Sequence, residues 1–309
     1  MKKEILITGG AGFIGTKLVN RLLKDYQITI LDNFLPQVHG DSQSKIKGVN
    51  YVIGDVCNKE DWEKALSPNT EFIFHLAAET GTGQSMDEIS RYNNTNIIGT
   101  SIMVDLINSN YYNVKKIILA SSRAVYGEKR NIVKKDNTDP ISIYGLTKLV
   151  QEQILQLACK IPYTIFRYQN VYGPGQSLKN PYTGIISIFS ECFKNNKDIT
   201  IWDNGLPTRD FIYVEDVISA TILALDNPIT NNKTYNVGTG KQVNILEVAN
   251  TLKSLIKTSG DIKISDYHRP GDVINAVADV NCIKKDLKWE TKYNLNQGIK
   301  KFIEWFLNT

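Results

Sequence analysis

The chain has 309 residues and a mass of 34.8 kDa, which suggests about two domains at roughly 100–200 residues each. Hydrophobic residues make up 42% and charged residues 22%, so disordered and fibrous proteins are excluded. The net charge of +4 comes from scattered lysines and arginines. We therefore do not expect a nucleic-acid partner.

The cysteines and histidines indicate neither disulfides nor a metal site. The four cysteines lie far apart and form no CxxC pair, so we expect reduced thiols in a cytosolic protein. His39, His75 and His268 have no histidine or cysteine partner at metal-ligand spacing. The sequence therefore predicts no bound metal.

The apolar segments are all short. None approaches the roughly 18 consecutive apolar residues of a membrane helix. The first apolar run, Ile5–Ile7, is also too short for a signal peptide. We therefore expect a cytoplasmic protein without a membrane partner.

The first half of the chain alternates short apolar runs with helical patterns. Strands are predicted at residues 4–8, 28–32, 51–55, 72–77, 116–122 and 163–168. These runs are β-branched and apolar on both faces, which is typical of buried parallel strands. Apolar side chains at helical spacing lie between them, as in residues 13–22 and 146–157. The alternation predicts an α/β fold with a doubly wound parallel sheet.

The pattern changes after about residue 172, where YGPGQSLKNPYTG (172–184) has the composition of a loop. Beyond it we predict helices at 185–194, from Glu215, at 245–257 and at the C-terminus, and strands at 199–203, 210–214 and 262–265. The predicted domains are a larger one over 1–172, to which 209–237 returns, and a smaller mixed α/β domain over 173–309.

A glycine-rich turn follows the first predicted strand directly. The segment TGGAGFIG (8–15) fits GxGxxG when counted from Gly10 and GxxGxxG when counted from Gly9. Glycines at these places allow a tight turn and let the backbone approach a pyrophosphate at a helix N-terminus. The turn therefore predicts a dinucleotide site.

An acid and several small residues extend this site. Asp32 ends the second strand and follows the glycine turn by about 20 residues. An acid at this separation bonds the adenosine ribose hydroxyls of a dinucleotide. It would repel the extra phosphate of NADP, so we predict NAD and a Rossmann-type NAD-binding domain over 1–172. Asp55–Val56 and Leu76–Ala78 close the third and fourth strands at the ligand crevice. We expect His75 to be a buried structural imidazole.

A serine, a tyrosine and a lysine form the candidate catalytic group. Ser122 ends the fifth strand, and Tyr144 and Lys148 lie one turn apart on the same face of a helix. A phenol with a pKa near 10 is a poor base at neutral pH. A nearby ammonium and the positive nicotinamide ring would stabilise its phenolate and lower that pKa. The serine can bond a substrate oxygen and pass on the proton.

These motifs make the chain resemble the extended short-chain dehydrogenases/reductases, in particular the NAD-dependent nucleotide-sugar epimerase/dehydratase family. The resemblance is carried by TGGAGFIG, LDN, GDV, HLAA, Asn96–Thr100, SSRAVYG, YGLTK, RYQNVYGPGQ, RDFIYVEDV and YHRPGD. It covers essentially the whole chain. It implies that residues 173–309 form a nucleotide-sugar-binding domain.

The resemblance also assigns roles to individual residues. It implies catalysis by Ser122, Tyr144 and Lys148. The cofactor contacts expected from the motifs and the resemblance are Gly9, Gly12, Phe13, Ile14, Gly15, Asp32, Asn33, Asp55, Val56, Leu76, Ala77, Ala78, Asn96, Tyr144 and Lys148. The substrate contacts are Ser122, Asn170, Trp202, Arg209, Arg269 and Asp272, with the arginines on the substrate phosphates.

The residues after Ser122 distinguish between the reactions of this family. Dehydratases carry Asp-Glu after the catalytic hydroxyl residue, whereas this chain has Arg123 and Ala124, which cannot serve as the acid and base. The loops GQSLKNPYTG and AAETGTGQSM are most similar to those of 4-epimerases acting on dTDP-L-rhamnose, within a broader UDP-galactose type. A 4-epimerase is therefore implied.

Three alternatives to the 4-epimerase remain open. A reductase of a 4-keto-6-deoxy sugar nucleotide would use the same three residues once per turnover. A 4,6-dehydratase is disfavoured by Arg123 and Ala124. A non-catalytic NAD-binding protein would not need the proton relay that this sequence carries.

The resemblance further implies an assembly. Members of the family usually dimerise through two helices per subunit, which match roughly residues 96–108 and 145–159 here. Their apolar faces would form a four-helix bundle. We therefore predict a homodimer.

Overall fold

The computed structural model describes residues 2–40, 43–128, 137–178, 180, 182, 184–268 and 273–309. The strands are β1 (Lys3–Thr8), β2 (Tyr26–Asp32), β3 (Asn50–Ile53), β4 (Thr70–His75), β5 (Lys116–Ser122), β6 (Tyr163–Tyr168), β7 (Asn170–Tyr172), β8 (Ile199–Ile201), β9 (Thr208–Arg209), β10 (Phe211–Tyr213), β11 (Lys233–Val237), β12 (Val243–Asn244) and β13 (Ile262–Ile264).

The helices alternate with these strands. They are α1 (Phe13–Leu22), α2 (Pro36–His39), α3 (Lys59–Ala65), α4 (Thr82–Asp87), α5 (Ile89–Tyr92), α6 (Gly99–Asn108), α7 (Ile143–Ala158), α8 (Ile185–Lys194), α9 (Val214–Leu223), α10 (Ile245–Ile256), α11 (Asn281–Leu287) and α12 (Leu295–Leu307). A π-helical segment, Asn93–Ile98, joins α5 to α6, and a 3₁₀ turn, Arg123–Tyr126, follows β5.

The main sheet has seven parallel strands in the order β11-β6-β5-β4-β1-β2-β3. From β1 the chain adds β2 and β3 on one side, and then β4, β5 and β6 on the other. The direction of winding thus changes between β1 and β4, where ligands bind in open α/β sheets. The predicted doubly wound α/β fold is confirmed.

Both faces of the main sheet are covered by apolar side chains, because successive strand residues point to opposite faces. Ile118 packs in one cluster with residues of α1 and α9, whereas its neighbour Leu119 packs in another with residues of α3, α6 and α7. This two-sided burial explains why the strands lack polar alternation in the sequence.

A third apolar cluster forms the core of the smaller C-terminal part. Phe193 of α8, Leu252 of α10 and Phe302 of α12 pack there with residues of β8 and β10. Short strand pairs support it, with β13 parallel to β8 and β12 antiparallel to β9. The strands β10 and β7 form a separate parallel pair, and the chain passes from β10 directly into α9.

The strand predictions differ from the structure mainly at the ends. The third strand ends at Ile53 instead of residue 55, so Asp55 lies in the turn before α3. The predicted strand 199–203 ends at Ile201, because a tight turn follows in which Asn204 has φ +54°. Residues 233–237 form edge strand β11 of the main sheet. The domain limits at 172 and 173 stay a prediction.

Candidate active site

A crevice of about 510 Å³ opens where β1, β2, β4, β5 and β6 end. Most of the predicted cofactor and catalytic residues line it, namely Gly9, Gly12, Phe13, Ile14, Gly15, Asp32, Asn33, Asp55, Val56, Leu76, Ala77, Ala78, Ser122, Tyr144 and Lys148. The fold therefore brings both predicted groups to one cavity.

Two glycines of the turn, Gly9 and Gly15, have no room for a side chain. Gly9 has φ +66°, and a Cβ there would lie 2.7 Å from the backbone nitrogen of Ala77. A Cβ on Gly15 would lie 2.5 Å from the carbonyl oxygen of Gly9. The bare backbone lies at the N-terminus of α1, whose N-cap is Gly12. This cradle fits a dinucleotide pyrophosphate.

The carboxylate of Asp32 is fixed by backbone amides. Its Oδ2 accepts a hydrogen bond from the Ala11 amide at 3.0 Å, and its Oδ1 accepts one from the Phe34 amide at 2.9 Å. His39 lies beside it, with Nε2 3.5 Å from Oδ1. An anion held at this place fits the adenosine ribose of NAD and disfavours the 2′-phosphate of NADP.

Ser122 and Tyr144 meet because the end of β5 lies beside the start of α7. The Ser122 Oγ accepts a hydrogen bond from the Ala124 amide at 3.1 Å, which turns the chain after β5. Helix α7 starts where the Ser142 Oγ caps the Gly145 amide at 3.1 Å. The Tyr144 side chain is hydrogen-bonded to Ser122.

The pKa of Tyr144 differs from the expectation. Burial of the phenol raises its pKa, and this effect outweighs the hydrogen bond with Ser122 and the charge of Arg123, which both lower it. The tyrosine is therefore not activated in the chain alone. A positive charge brought by a ligand is needed to favour the phenolate.

The Lys148 side chain is buried one helical turn after Tyr144 on α7. Its Nζ donates a hydrogen bond to the Ala120 carbonyl at 3.0 Å. Burial lowers the pKa of Lys148 to about 7, and the charge of Glu152 opposes that fall. Lys148 thus changes its charge close to neutral pH.

His75 has the structural role that we expected. It is 1% exposed and lies between two threonines, with Nδ1 2.8 Å from the Thr8 Oγ1 and Nε2 3.0 Å from the Thr100 Oγ1. Burial lowers the pKa of His75 to about 3, so its ring is neutral at physiological pH.

Asn96 was predicted to contact the cofactor, but the structure places it behind the crevice wall. Its Oδ1 accepts a hydrogen bond from the Glu79 amide at 2.9 Å. Its Nδ2 donates to the Glu79 carbonyl at 3.1 Å and to the Thr147 Oγ1 at 2.9 Å. The fully buried amide therefore joins the β4–α4 loop to α7.

Ser122 is the predicted substrate residue that lines the crevice, whereas Asn170, Trp202 and Arg209 lie farther along the chain and do not line it. Arg209 is buried and donates from Nη1 to the carbonyls of Thr208 and Ile274, at 2.9 and 3.3 Å. Asn170 begins β7, and its backbone N–H donates to the backbone carbonyl of Asp210. Their substrate roles stay predictions.

The other three predicted substrate residues are Trp202, Arg269 and Asp272. Trp202 is 36% exposed and packs edge-on against Tyr267, with ring centroids 5.5 Å apart. Arg269 and Asp272 lie outside the described residues. Trp202 and Tyr267 thus form an aromatic surface on the C-terminal part.

Some crevice residues were not among the predicted site residues. Gln176 and Asn180 belong to the loop segment GQSLKNPYTG, and Glu79, which pairs with Arg91 at 2.8 Å, belongs to AAETGTGQSM. The sequence marked these loops without giving a role to each residue. His39 also lines the crevice, and no spacing in the sequence marks it as a site residue.

The fold and the site define an NAD-dependent enzyme of the Rossmann type. A family model, the NAD dependent epimerase/dehydratase family, matches residues 5–238. The chain belongs to this family. The predictions of the family, of an NAD-dependent epimerase and of NAD as the cofactor are confirmed.

Individual relatives are similar over their whole length. The chain is 35% identical to a dTDP-L-rhamnose 4-epimerase from Burkholderia thailandensis, covering 98% of this chain and 94% of that protein. A UDP-glucose 4-epimerase from Thermotoga maritima, solved with UDP-glucose, superposes with a TM-score of 0.91 at 31% identity and 99% coverage of both chains. A UDP-glucose 4-epimerase from Thermus thermophilus, solved with NAD, has a TM-score of 0.88 at 26% identity, again with 99% coverage of both.

Among the described residues, no helix is long and apolar enough to cross a membrane. The cytoplasmic location stays a prediction.

Proposed function

We propose that this protein is a nucleotide-sugar 4-epimerase acting on a dTDP- or UDP-linked hexose or 6-deoxyhexose. The observation that carries the proposal is that one crevice holds Ser122, Tyr144 and Lys148 together with the glycine cradle and Asp32. The relatives named for dTDP-L-rhamnose and UDP-glucose support this substrate class.

The chemistry follows from the positions of the side chains. Bound NAD supplies reversible acceptance of the hydrogen at sugar position 4. Tyr144 takes the proton of the 4-hydroxyl and later returns it, while Ser122 holds the sugar oxygen through its hydroxyl. Lys148, one helical turn from Tyr144, supplies positive charge to the phenolate while its amine is protonated. Arg123 and Ala124 provide no carboxylate for dehydration.

We assign the nucleotide end of the substrate to the C-terminal part. Trp202 offers an aromatic surface for a base, and Arg209, Asn170, Arg269 and Asp272 are proposed around the phosphates and sugar. Arginine suits phosphate because its planar fork can make two parallel hydrogen bonds.

The test is conversion of sugar nucleotides by the protein with its bound NAD alone. A panel of dTDP-, UDP-, GDP- and CDP-sugars is incubated with and without added NADH, and the products are read by NMR. An epimerase should return the hydrogen originally at position 4, so deuterium placed there should survive in the epimer. Washing out of the label, or a need for stoichiometric NADH, would indicate the 4-keto reductase instead.

We also infer a homodimer formed through α6 and α7. Ile98 next to α6 and Leu146 and Leu157 of α7 are exposed large apolar side chains, and Leu157 is 89% exposed. Such side chains would be buried in a four-helix bundle between two subunits. Light scattering should give twice the chain mass at micromolar concentration. A monomer there would contradict this assembly.

A further inference from the structure

A histidine lies beside the acid of the dinucleotide site. The Nε2 of His39 is 3.5 Å from the Oδ1 of Asp32, and their side chains are 12% and 6% exposed. Both residues line the crevice. In the part of the chain that the structure describes, His39 is the basic group within 4.0 Å of this carboxylate. An imidazole and a carboxylate therefore meet where the adenosine ribose is expected.

The imidazole is not needed to hold the carboxylate. Asp32 already accepts the Ala11 amide at Oδ2 and the Phe34 amide at Oδ1, at 3.0 and 2.9 Å. The separation of 3.5 Å between His39 and Asp32 is longer than an ordinary hydrogen bond. Among the described residues the His39 ring has no hydrogen-bond partner. The ring thus keeps its hydrogen-bonding capacity for a ligand in the crevice.

The loop after β2 fixes the position of the ring. His39 ends the one-turn helix α2, in which its amide donates to the Leu35 carbonyl at 3.0 Å. The ring packs at a tilt against Phe34, with ring centroids 5.1 Å apart. Since the Phe34 amide is bonded to Asp32, the same short loop positions the imidazole and the carboxylate.

The charges around His39 differ in how they respond to pH. Asp32 faces His39 from β2, and Asp55 lines the crevice from the turn after β3. Lys45 lies over the Tyr51 ring of β3, 5.5 Å from its centroid. An imidazole changes its charge between pH 5 and 8, whereas carboxylates and lysines ordinarily keep theirs over that range. Among these described groups, the proton on His39 therefore sets the net charge that a ligand meets.

We propose that His39, beside Asp32, determines the choice between NAD and NADP through its proton. With a neutral ring, the carboxylate binds the ribose hydroxyls and repels a 2′-phosphate. With a protonated ring, the positive charge compensates the carboxylate and attracts the phosphate. NADP should therefore bind more tightly as the pH falls, whereas NAD, which has no phosphate at this place, should change little. The proposal concerns the cofactor alone, so it stands or falls separately from the proposed epimerase activity.

The test is competition for the dinucleotide site, which needs no turnover. The full chain is loaded with NADH, and NADH fluorescence is followed while NAD or NADP displaces it between about pH 6 and pH 8, where an imidazole changes its charge. In the unmodified chain, the affinity for NADP relative to NAD should rise about tenfold as the pH falls across this range, the size expected for contact with a charged group.

Two variants of His39 separate its charge from that of the ligand. A phosphate monoester also takes up a proton near about pH 6, so a baseline is required. His39→Gln keeps a polar side chain without a charge, and its NADP preference should change only by that baseline, which is less than in the unmodified chain. His39→Arg carries a charge throughout and suits phosphate through its planar fork. It should bind NADP about tenfold more tightly than the unmodified chain at pH 8.

His268→Gln is the matched control. Its ring also lies against a carboxylate, with Nδ1 2.7 Å from the Asp203 Oδ1, but neither residue lines the crevice. The variant should keep the cofactor preference of the unmodified chain and its dependence on pH. A change equal to that of His39→Gln would mean that the loss of any histidine charge accounts for the effect, and it would overturn the proposal.

Imidazole NMR gives a second reading on the same ring. The chain has three histidines, and the His39 signals are those absent from His39→Gln. Because coupling between two bound species is reciprocal, NADP should move the titration of His39 to higher pH than NAD does, by about one unit for a tenfold preference. Equal titrations with the two cofactors, or the same pH dependence of the cofactor preference in the unmodified chain and in His39→Gln, would overturn the proposal.

Discussion

The catalytic end of the site and the proposed nucleotide end differ in how firmly their side chains are held. Lys148 and Glu152 are buried and bonded to the strands below them. At the other end Trp202 and Tyr267 are 36% and 54% exposed and contact each other across short strands. The sheet thus fixes the catalytic side chains, whereas the aromatic pair at the proposed nucleotide end lies at the surface and can change without disturbing the core.

The largest effect is expected in the buried catalytic group. Tyr144→Phe keeps the ring but removes the proton-exchanging hydroxyl, which should cost about 10²–10⁴-fold in kcat. Ser122→Ala should lose less, because water can replace the shuttle in part. Tyr235→Phe removes a hydroxyl bonded to Asp286, away from the crevice, and should stay active. Full activity of Tyr144→Phe would contradict both the epimerase and the reductase.

The glycine cradle should be next in sensitivity. Gly15→Ala places a Cβ 2.5 Å from the Gly9 carbonyl oxygen, so the turn must open by backbone movement. Overpacking of this kind costs about 1–3 kcal/mol, and we expect NAD binding to weaken about ten- to hundredfold. Gly12→Ala, with 3.3 Å to the same oxygen, should be milder. Titration calorimetry with NAD measures both, and equal affinities would argue against the cradle.

Asp32 should determine the choice of cofactor. Asp32→Ala removes the carboxylate that the Ala11 and Phe34 amides hold, so NAD should bind about tenfold more weakly. The preference of the protein for NAD over NADP should become smaller at the same time, because the carboxylate that repels the 2′-phosphate of NADP is gone. The affinities of the unmodified and substituted chains for the two cofactors test this. Equal affinity of the unmodified chain for both would refute the assignment.

The smallest effect is expected at the exposed aromatic pair. Trp202→Ala should raise the KM for the sugar nucleotide several-fold, which corresponds to a loss of about 1 kcal/mol of binding free energy. The kcat should stay nearly unchanged, because the substitution removes a contact far from the reacting carbon. Tyr111→Ala, which truncates a 69% exposed aromatic outside the crevice, is the matched control. A fall in kcat without a change in KM would place Trp202 in a different role.

The sequence predicts the buried strands of the main sheet and the glycine turn well. Both leave a local pattern in the sequence, namely apolar runs without polar alternation and glycines at fixed spacing. The strand 116–122 and the helix 185–194 have the predicted limits. Strand β11, KTYNV, was not recognised as a strand of its own, because five residues with polar members have no period to distinguish them from a loop. Its pairing with β6 depends on long-range packing.

Side-chain direction and burial are what the sequence does not contain. Asn96 lies in the family motif as expected, yet its amide is turned to Glu79 and Thr147. The YxxxK spacing correctly places Lys148 one turn from Tyr144, but spacing gives no measure of burial. Burial decides the sign here, since it raises the pKa of Tyr144 and lowers that of Lys148.

The edge strand β11 of the main sheet comes from a late part of the chain. Strand β11 pairs with β6 only after the chain has built α8, β8 and β10, and Lys116 at the start of β5 bonds the Asn227 carbonyl on the way back. A fragment ending near residue 172 would leave the β6 edge unpaired, with open backbone groups. Residues 1–172 therefore do not make the complete sheet by themselves, and exchanging everything after residue 172 would also remove a strand of the main sheet.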